Sequence, residues 1–321
     1  MVNRFIGVVP IVISLFSLFM CSCGNGGDTT VRSIRVTRLD SILTAGRMPE
    51  DSITFAAANS LFLVSGYGAL NDSSLMRYKT NPSIALHAKA MGESFEDISD
   101  IEYGLGGVFA KMRKYYPDVT LPAVYSVVSP FNQSVFTVDT LLYIGLNHYL
   151  GVDYEPYGYF PDFVRKTKVR SRLLPDVAET LIRGEYGYDP GSNYPTLLSR
   201  MLYEGAVMDA VVRLTGKTEM EVLGYDEEEM RWLEDNEEEI WNALIIRKYL
   251  YSTDETVASR MIMPSAATSL LAPEVPGRAG RYIGYKIVKS YVAHNDIEPA
   301  QLLLPSFYDS GETLAASKYH H

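Results

Sequence analysis

A single strand-type stretch set into an otherwise helical chain is the feature that most constrains the fold. Ala123–Ser129 reads as a strand, Pro130 to Gln133 supplies turn residues, Ser134–Val138 alternates, Asp139-Thr140 turns, and Leu141–Leu146 is a third apolar run. Connections this short predict an antiparallel meander, because parallel neighbours ordinarily need a crossover of a dozen residues or more. Upstream, Val31 to Leu39 interleaves β-branched residues with arginines and predicts an edge strand that opens the folded body. The expected architecture is therefore α+β, rich in helices, with one small, largely antiparallel sheet.

Helical spacing is clear for Ile98, Ile101, Leu105, Val108, Phe109 and Met112, ending before Pro117. Another helix is predicted from Thr196 to about Leu214, with Pro195 at its start and Gly216 as its stop. Asp176 with Glu179, and Asp226 with Glu229, have capping-box spacing. In a last helix, Arg278 to His294, Gly280 and Gly284 are four apart and would let a neighbour approach closely. The only cysteines, Cys21 and Cys23, precede the body, which therefore has no intrachain disulfide and no thiolate metal site. Stability must come from packing the 47% of residues that are apolar. The 23 tyrosines are read first as half-buried rings whose hydroxyls reach water, with a tyrosine-lined groove as the alternative.

Arg4 followed by an apolar run from Phe5 to Met20 reads as an export signal over residues 1–22, not as a membrane span. Ser22 before Cys23, and the glycine-rich segment after it, predict lipidation at Cys23; Cys21, behind the larger Met20, is the weaker anchor. Residues 23–30 would then be a tether, 31–305 the body, and 306–321 a disordered tail. Several acyl chains hold firmly to a bilayer, since each buried methylene contributes about 0.8 kcal/mol. Asp28 is a little far from Cys23 for a surface-export signal, so membrane attachment facing the periplasm is expected. The formal net charge is −10, and no basic cluster is dense enough to track a phosphate backbone. Nucleic acid is not an expected partner.

The five histidines, His87, His148, His294, His320 and His321, include no His-x-x-x-His pair, so two imidazoles cannot stack one helical turn apart to hold zinc. A Gly-x-Ser-x-Gly elbow, a Walker loop and a dinucleotide-binding glycine pattern are likewise missing. No cofactor or metal is expected. His148 is a candidate ligand or proton carrier, with an ordinary strand-end histidine as the plainer reading. Glu204 is the most unusual residue: with Leu197, Met201 and Met208 it falls on one helical stripe, where an unpaired carboxylate is costly. Arg200, one turn earlier, is its expected partner, the alternative being a residual functional cleft.

Tyr116–Pro122, Ser129–Asn132, Gly145–Gly151 with Asp153-Tyr154, Leu174–Asp176, Tyr225 through Trp241, Tyr251–Asp254 and Pro276–Val288 occur in this order. Together they resemble the gliding-motility lipoproteins of the Bacteroidota, the GldB family. The resemblance implies a cell-envelope lipoprotein associated with the gliding machinery and with the type IX secretion system linked to it. That family in turn resembles zincin-like peptidases, in which a His-Glu-x-x-His helix faces a sheet and a later helix with a Glu-Gly-x-Ala pattern completes the site. Glu204-Gly205-Ala206-Val207 is similar to the later helix, with alanine one position early, while Asp176 to Leu181, where the histidines would be expected, has none.

The resemblance thus implies a zincin-like fold without its metal, a pseudo-peptidase with a residual cleft at Asp176, Glu179, Arg200, Glu204 and His148. Without imidazoles to fix a cation, no water is brought to a reactive pKa by that route. The expected function is non-catalytic, in assembly or stabilisation of an envelope complex for export or motility. One alternative is a glycan- or peptidoglycan-binding lipoprotein that uses tyrosines between Tyr149 and Tyr159. The other is a divergent peptidase built on Glu204, Arg200 and His148.

Overall fold

Side chains of successive strand residues point to opposite faces, and helices cover both faces of the sheet that this chain builds. A computed structural model describes residues 32–130, 133–191 and 195–319. The export signal, Cys23, the tether and His320-His321 lie outside the described residues. The strands are β1 (Val36–Arg38), β2 (Ala123–Val127), β3 (Val135–Val138) and β4 (Leu141–Gly145), in spatial order β1-β2-β4-β3.

The α+β expectation holds, but the meander does not. β2 pairs in parallel with both β1 and β4, opposing Tyr125 to Tyr143, and only β3 and β4 form an antiparallel hairpin. Burial explains why β4 inserts between β2 and β3. Val124, Tyr125 and Val127 of β2 and Leu142, Tyr143 and Ile144 of β4 are all buried, so each strand needs cover on both faces and suits a central position. The residues of β3 are half-buried or exposed and suit an edge. The loop from Val128 to Ser134 is long enough to cross the roughly 10 Å of two strand spacings. Asp139, at the hairpin turn, takes the left-handed conformation (φ 52°) that a short polar side chain tolerates.

Before β2 the chain forms α1 (Leu39–Thr44), α2 (Ser52–Val64), α3 (Asp72–Lys79), α4 (Pro82–Ser94) and α5 (Ser99–Tyr115). After β4 come α6 (Asp162–Arg165), α7 (Leu173–Glu185), α8 (Leu197–Thr215), α9 (Glu219–Leu223), α10 (Glu227–Asp235) and α11 (Glu237–Ile246). The last are α12 (Glu255–Ile262), α13 (Ala279–His294), α14 (Pro305–Tyr308) and α15 (Thr313–Ser317). Val124, Leu142 and Ile144 join a large core with α5, α7, α8 and α13. Tyr125, Val127 and Tyr143, on the opposite face, join a smaller core with Leu39, Leu43, Ala57, Ala58, Leu61, Phe62 and Tyr78 from α1, α2 and α3.

Local signals place the helix ends well. Thr196 caps α8 by accepting from the Ser199 amide, and Gly216 ends it at φ 69°. Asp226 and Glu229 form the expected capping box of α10. Asp176 does not cap: α7 begins three residues earlier, and the carboxylate is used elsewhere. Helices α8 and α13 cross at Gly205 and Gly284, where no Cβ fits. One on Gly205 would stand 2.2 Å from the Gly284 carbonyl oxygen, and one on Gly284 1.9 Å from that of Met201.

The expected disordered tail is corrected. Residues 306–319 fold back as α14 and α15, burying Phe307, Tyr308, Thr313 and Ser317. The Tyr308 hydroxyl accepts from the Asp189 amide at 3.0 Å, and that of Tyr319 donates to Glu237 Oε1 at 2.8 Å. These aromatic anchors give the segment enough packing to offset its ordering entropy.

Candidate functional site

Asp176, Glu179 and Arg183 follow one another at spacings of three and four, so α7 carries them on one face. α8 supplies Glu204 from the opposite side and α13 supplies Arg281. The Arg183 guanidinium donates both of its terminal nitrogens to Glu204, at 3.0 and 2.6 Å, and its Nε to Glu179 Oε1 at 3.0 Å. Arg281 donates to the same Glu179 oxygen at 2.8 Å, and its Nε stands 3.0 Å from Glu204 Oε2 in an ion pair. Two carboxylates and two guanidiniums thus form a cluster that is interior at Glu204 and Arg281, with side chains 12% and 9% exposed, and reaches water at Arg183, 31% exposed. Bidentate, charge-assisted bonds of this kind have defined directions and fix the relative register of the three helices.

Asp176 extends the cluster outward. It accepts from Arg172 at 2.8 Å and from the Tyr149 hydroxyl at 2.9 Å, while Arg172 also donates to the Glu221 and Val222 carbonyls closing α9. Burial, and then the Asp176 charge, raise the Tyr149 hydroxyl well above its ordinary value, so it remains a donor. Burial alone would raise Glu179, but the charges of Arg281, Arg183 and Arg172 outweigh it and hold that carboxyl well below the usual range. Burial would lower Arg183, and Glu179 and Glu204 reverse this.

A family model described as gliding motility protein GldB matches residues 28–321. The chain belongs to the GldB family. Membership associates the protein with gliding motility and with the cell envelope as a lipoprotein. No match to a curated protein or to a solved structure was found. Among the described residues no helix is long and apolar enough to cross a membrane.

Of the five residues expected in a cleft of this GldB protein, Glu179 and Glu204 meet in the cluster, and Asp176 lies beside it on Arg172 and Tyr149. Arg200 is not the partner of Glu204. It pairs with Glu255 Oε1 at 2.5 Å and lies over the Tyr188 ring, because it leaves α8 towards α12 rather than towards α7. His148 is placed beyond the end of β4, where Nε2 donates to the Pro130 carbonyl at 3.0 Å and Nδ1 accepts from Lys168 at 2.9 Å. Burial, and then the Lys168 charge, lower His148 to about 3, so it remains neutral and ties a loop to the sheet.

Sequence reading missed Arg183, Arg281, Arg172 and Tyr149. Signals existed for two of them: the four-residue spacing of Glu179 and Arg183, and Arg281 set among the apolar residues of α13. The donor set does not fit a resident zinc, since two guanidiniums are paired with the two inner carboxylates, on both oxygens of Glu204 and on Oε1 of Glu179, and no imidazole of the described residues is beside them. Among the described residues, no group of three or more His, Cys, Asp or Glu is placed to hold a metal ion. Where α7 faces β3 there is an open cleft of about 280 Å³, lined by Thr137, Thr180, Leu181, Gly184 and Glu185 among others. A further cleft of about 360 Å³ lies among Tyr67, Arg77, Tyr78, Asn81, His87 and Ser129.

The expected tyrosine platform is corrected too. Tyr149 and Tyr157 are buried, and Tyr154 shares a 2.8 Å hydrogen bond with His87 Nδ1; Tyr159 is exposed. Their hydroxyls are drawn into the body by polar partners, as at Tyr157, which donates to the Asn147 carbonyl.

Proposed function

We propose that this GldB-family protein is a non-catalytic lipoprotein, anchored through Cys23. Its zincin-like body serves assembly or stabilisation of the gliding machinery and of the type IX secretion apparatus linked to it. The single observation that carries the reading is the pairing of Glu179 and Glu204 with Arg183 and Arg281. In the zincin-like reading, α7 and α8 correspond to the two helices that would supply metal ligands. Here a carboxylate from each is neutralised by a guanidinium, which turns a place for reactivity into a joint between helices. The mixed sheet, with its antiparallel edge strand facing α7, is compatible with the same ancestry. A body held rigid by such a joint, and tethered by lipid, suits a scaffold.

One preparation tests this. The acylated protein, carrying no added histidine tag, is crosslinked in native envelopes, purified, and analysed for metal content and for co-purifying proteins. The expected result is gliding or secretion components with far less than one zinc per chain. One firmly held zinc per chain, or glycan fragments in place of machinery components, would overturn the proposal.

A further inference from the structure

Helix α2, Ser-Ile-Thr-Phe-Ala-Ala-Ala-Asn-Ser-Leu-Phe-Leu-Val, contains no charged residue. Its inner face, Ala57, Ala58, Leu61 and Phe62, is buried in the smaller core. Its outer side is apolar for the most part: Ile53 is 70% exposed and Leu63 and Val64 are each 56% exposed, with exposed Ala56 and Phe55 on the same helix and exposed Ser52 and half-buried Asn59 and Ser60 as polar residues among them. A helix that is hydrophobic all round normally has cover on every side, and this one has cover on one.

Two further observations bear on what covers the other. Arg35 and Thr37, where the chain enters the body, line one surface groove with Asp51 and Thr54 of the first turn of α2. Cys23 is nine residues before Arg32, a reach of about 30 Å, so a lipid at Cys23 keeps this end of the body close to its bilayer. Arg32, Arg35 and Arg47 are exposed here; of the nearby acids, Glu50 is exposed and Asp51 accepts from the Thr54 amide as the α2 cap. The exposed stripe has no Trp, Tyr or Arg, the types that dominate protein–protein hot spots. Aliphatic and phenyl side chains on α2, with exposed arginines on the segment that leads from the anchor into the body, match the boundary between acyl chains and anionic headgroups.

We infer that the outer face of α2 lies in the interfacial layer of the phospholipid bilayer that holds the anchor. The body is thereby fixed in one orientation instead of swinging on its tether. The inference rests on the lipid-anchor reading for which bilayer the face meets, while the affinity of the face for that bilayer is its own.

The acylated protein is reconstituted in phosphatidylethanolamine–phosphatidylglycerol vesicles with a nitroxide at Leu63→Cys or, as a control on exposed α11 surface, at Glu238→Cys. The label at 63 should be more accessible to oxygen than to a water-soluble nickel chelate, and the label at 238 the reverse. The unacylated Cys23→Ala chain should float with the same vesicles, and adding Ile53→Asp and Leu63→Asp should weaken that binding at least tenfold with the circular dichroism spectrum unchanged. A label at 63 that is freely accessible to nickel on membrane-bound protein overturns the inference. So does one shielded from both reagents, as under a partner protein or a second copy. Failure of the anchor reading shows separately, as absence of radiolabelled palmitate from the protein in cells, and flotation of the unacylated chain still decides the role of α2.

Discussion

On one face of the sheet, α7, α8 and α13 gather two carboxylates and two guanidiniums; on the other, α1, α2 and α3 close mainly over aliphatic and aromatic side chains, with a single ion pair, Asp40 of α1 with Arg38 at 2.7 Å, at their edge. The first region depends on mutual compensation. Removing one charge leaves another stranded in a poorly solvated place, and the directional bonds specify how three helices meet. The second region depends on volume. Its ring pairs, such as Phe62 with Tyr78 and Phe136 with Tyr143, tolerate loss of a hydroxyl more readily than loss of a ring. The consequence extends to function: the charged face pairs its carboxylates with guanidiniums between the helices, whereas the apolar face ends in a helix whose outer side is exposed.

The strongest test of this contrast is Glu204→Ala, expected to destabilise by about 3 kcal/mol, the lower end of the range for breaking a buried pair, because Arg183 keeps partial contact with water. The double substitution Glu204→Leu with Arg281→Met should recover much of the loss, since it strands fewer charges. Denaturant unfolding of the two variants measures both, and a single-mutant cost below about 0.5 kcal/mol would erase the distinction between the faces.

Acid should act next. His148, lowered to about 3, resists the proton that an unfolded chain takes up near 6.5, so stability should fall as pH drops through that interval, by roughly 1 kcal/mol per pH unit at most. Glu179 works in the same direction at lower pH. Its folded value is depressed, so its contribution is present above the ordinary carboxyl value of 4.5 and is lost as pH falls below it. Unfolding midpoints at pH 7, 5.5 and 4 should show the decline. His148→Asn should flatten the upper part of the curve and leave the lower part.

The smallest effect is expected on the apolar face. The buried Tyr78 hydroxyl makes no hydrogen bond within the described structure and has the Val128 backbone as a polar neighbour. Tyr78→Phe should therefore change unfolding free energy by no more than about 0.5 kcal/mol, in either direction. A loss of more than about 1 kcal/mol in the same denaturation assay would give that hydroxyl a structural role and make the two faces less different.

Much of this was legible from residues close in sequence. The cap at Thr196, the stop at Gly216 and the box at Asp226 and Glu229 each act within one helical turn, and each is where its residues predict. Gly280 and Gly284 announced close contacts, though not with which helices; these are α12 at Met261 and α8 at Met201. The candidate site was only half legible. That Glu204 on an apolar stripe requires a cation follows from the cost of burying a charge, but Arg200 was the wrong cation, as its side chain leaves α8 towards Glu255.

Residue order alone carried the helix-rich α+β class, the ends of α8 and α10, the need of Glu204 for a partner and the family. Those properties arise from interactions a few residues apart, or from the order of motifs along the chain. Three-dimensional packing was needed to place β4 between β2 and β3, to bring residues 306–319 against the body, and to set Glu204 against Arg183 and Arg281. Arg183 and Glu204 are 21 positions apart and Arg281 and Glu179 are 102 apart, and no local signal ranks one distant guanidinium above another. Which pair forms is fixed by how the helices pack, and that depends on where a backbone can approach without a Cβ, as it does at Gly205 and Gly284.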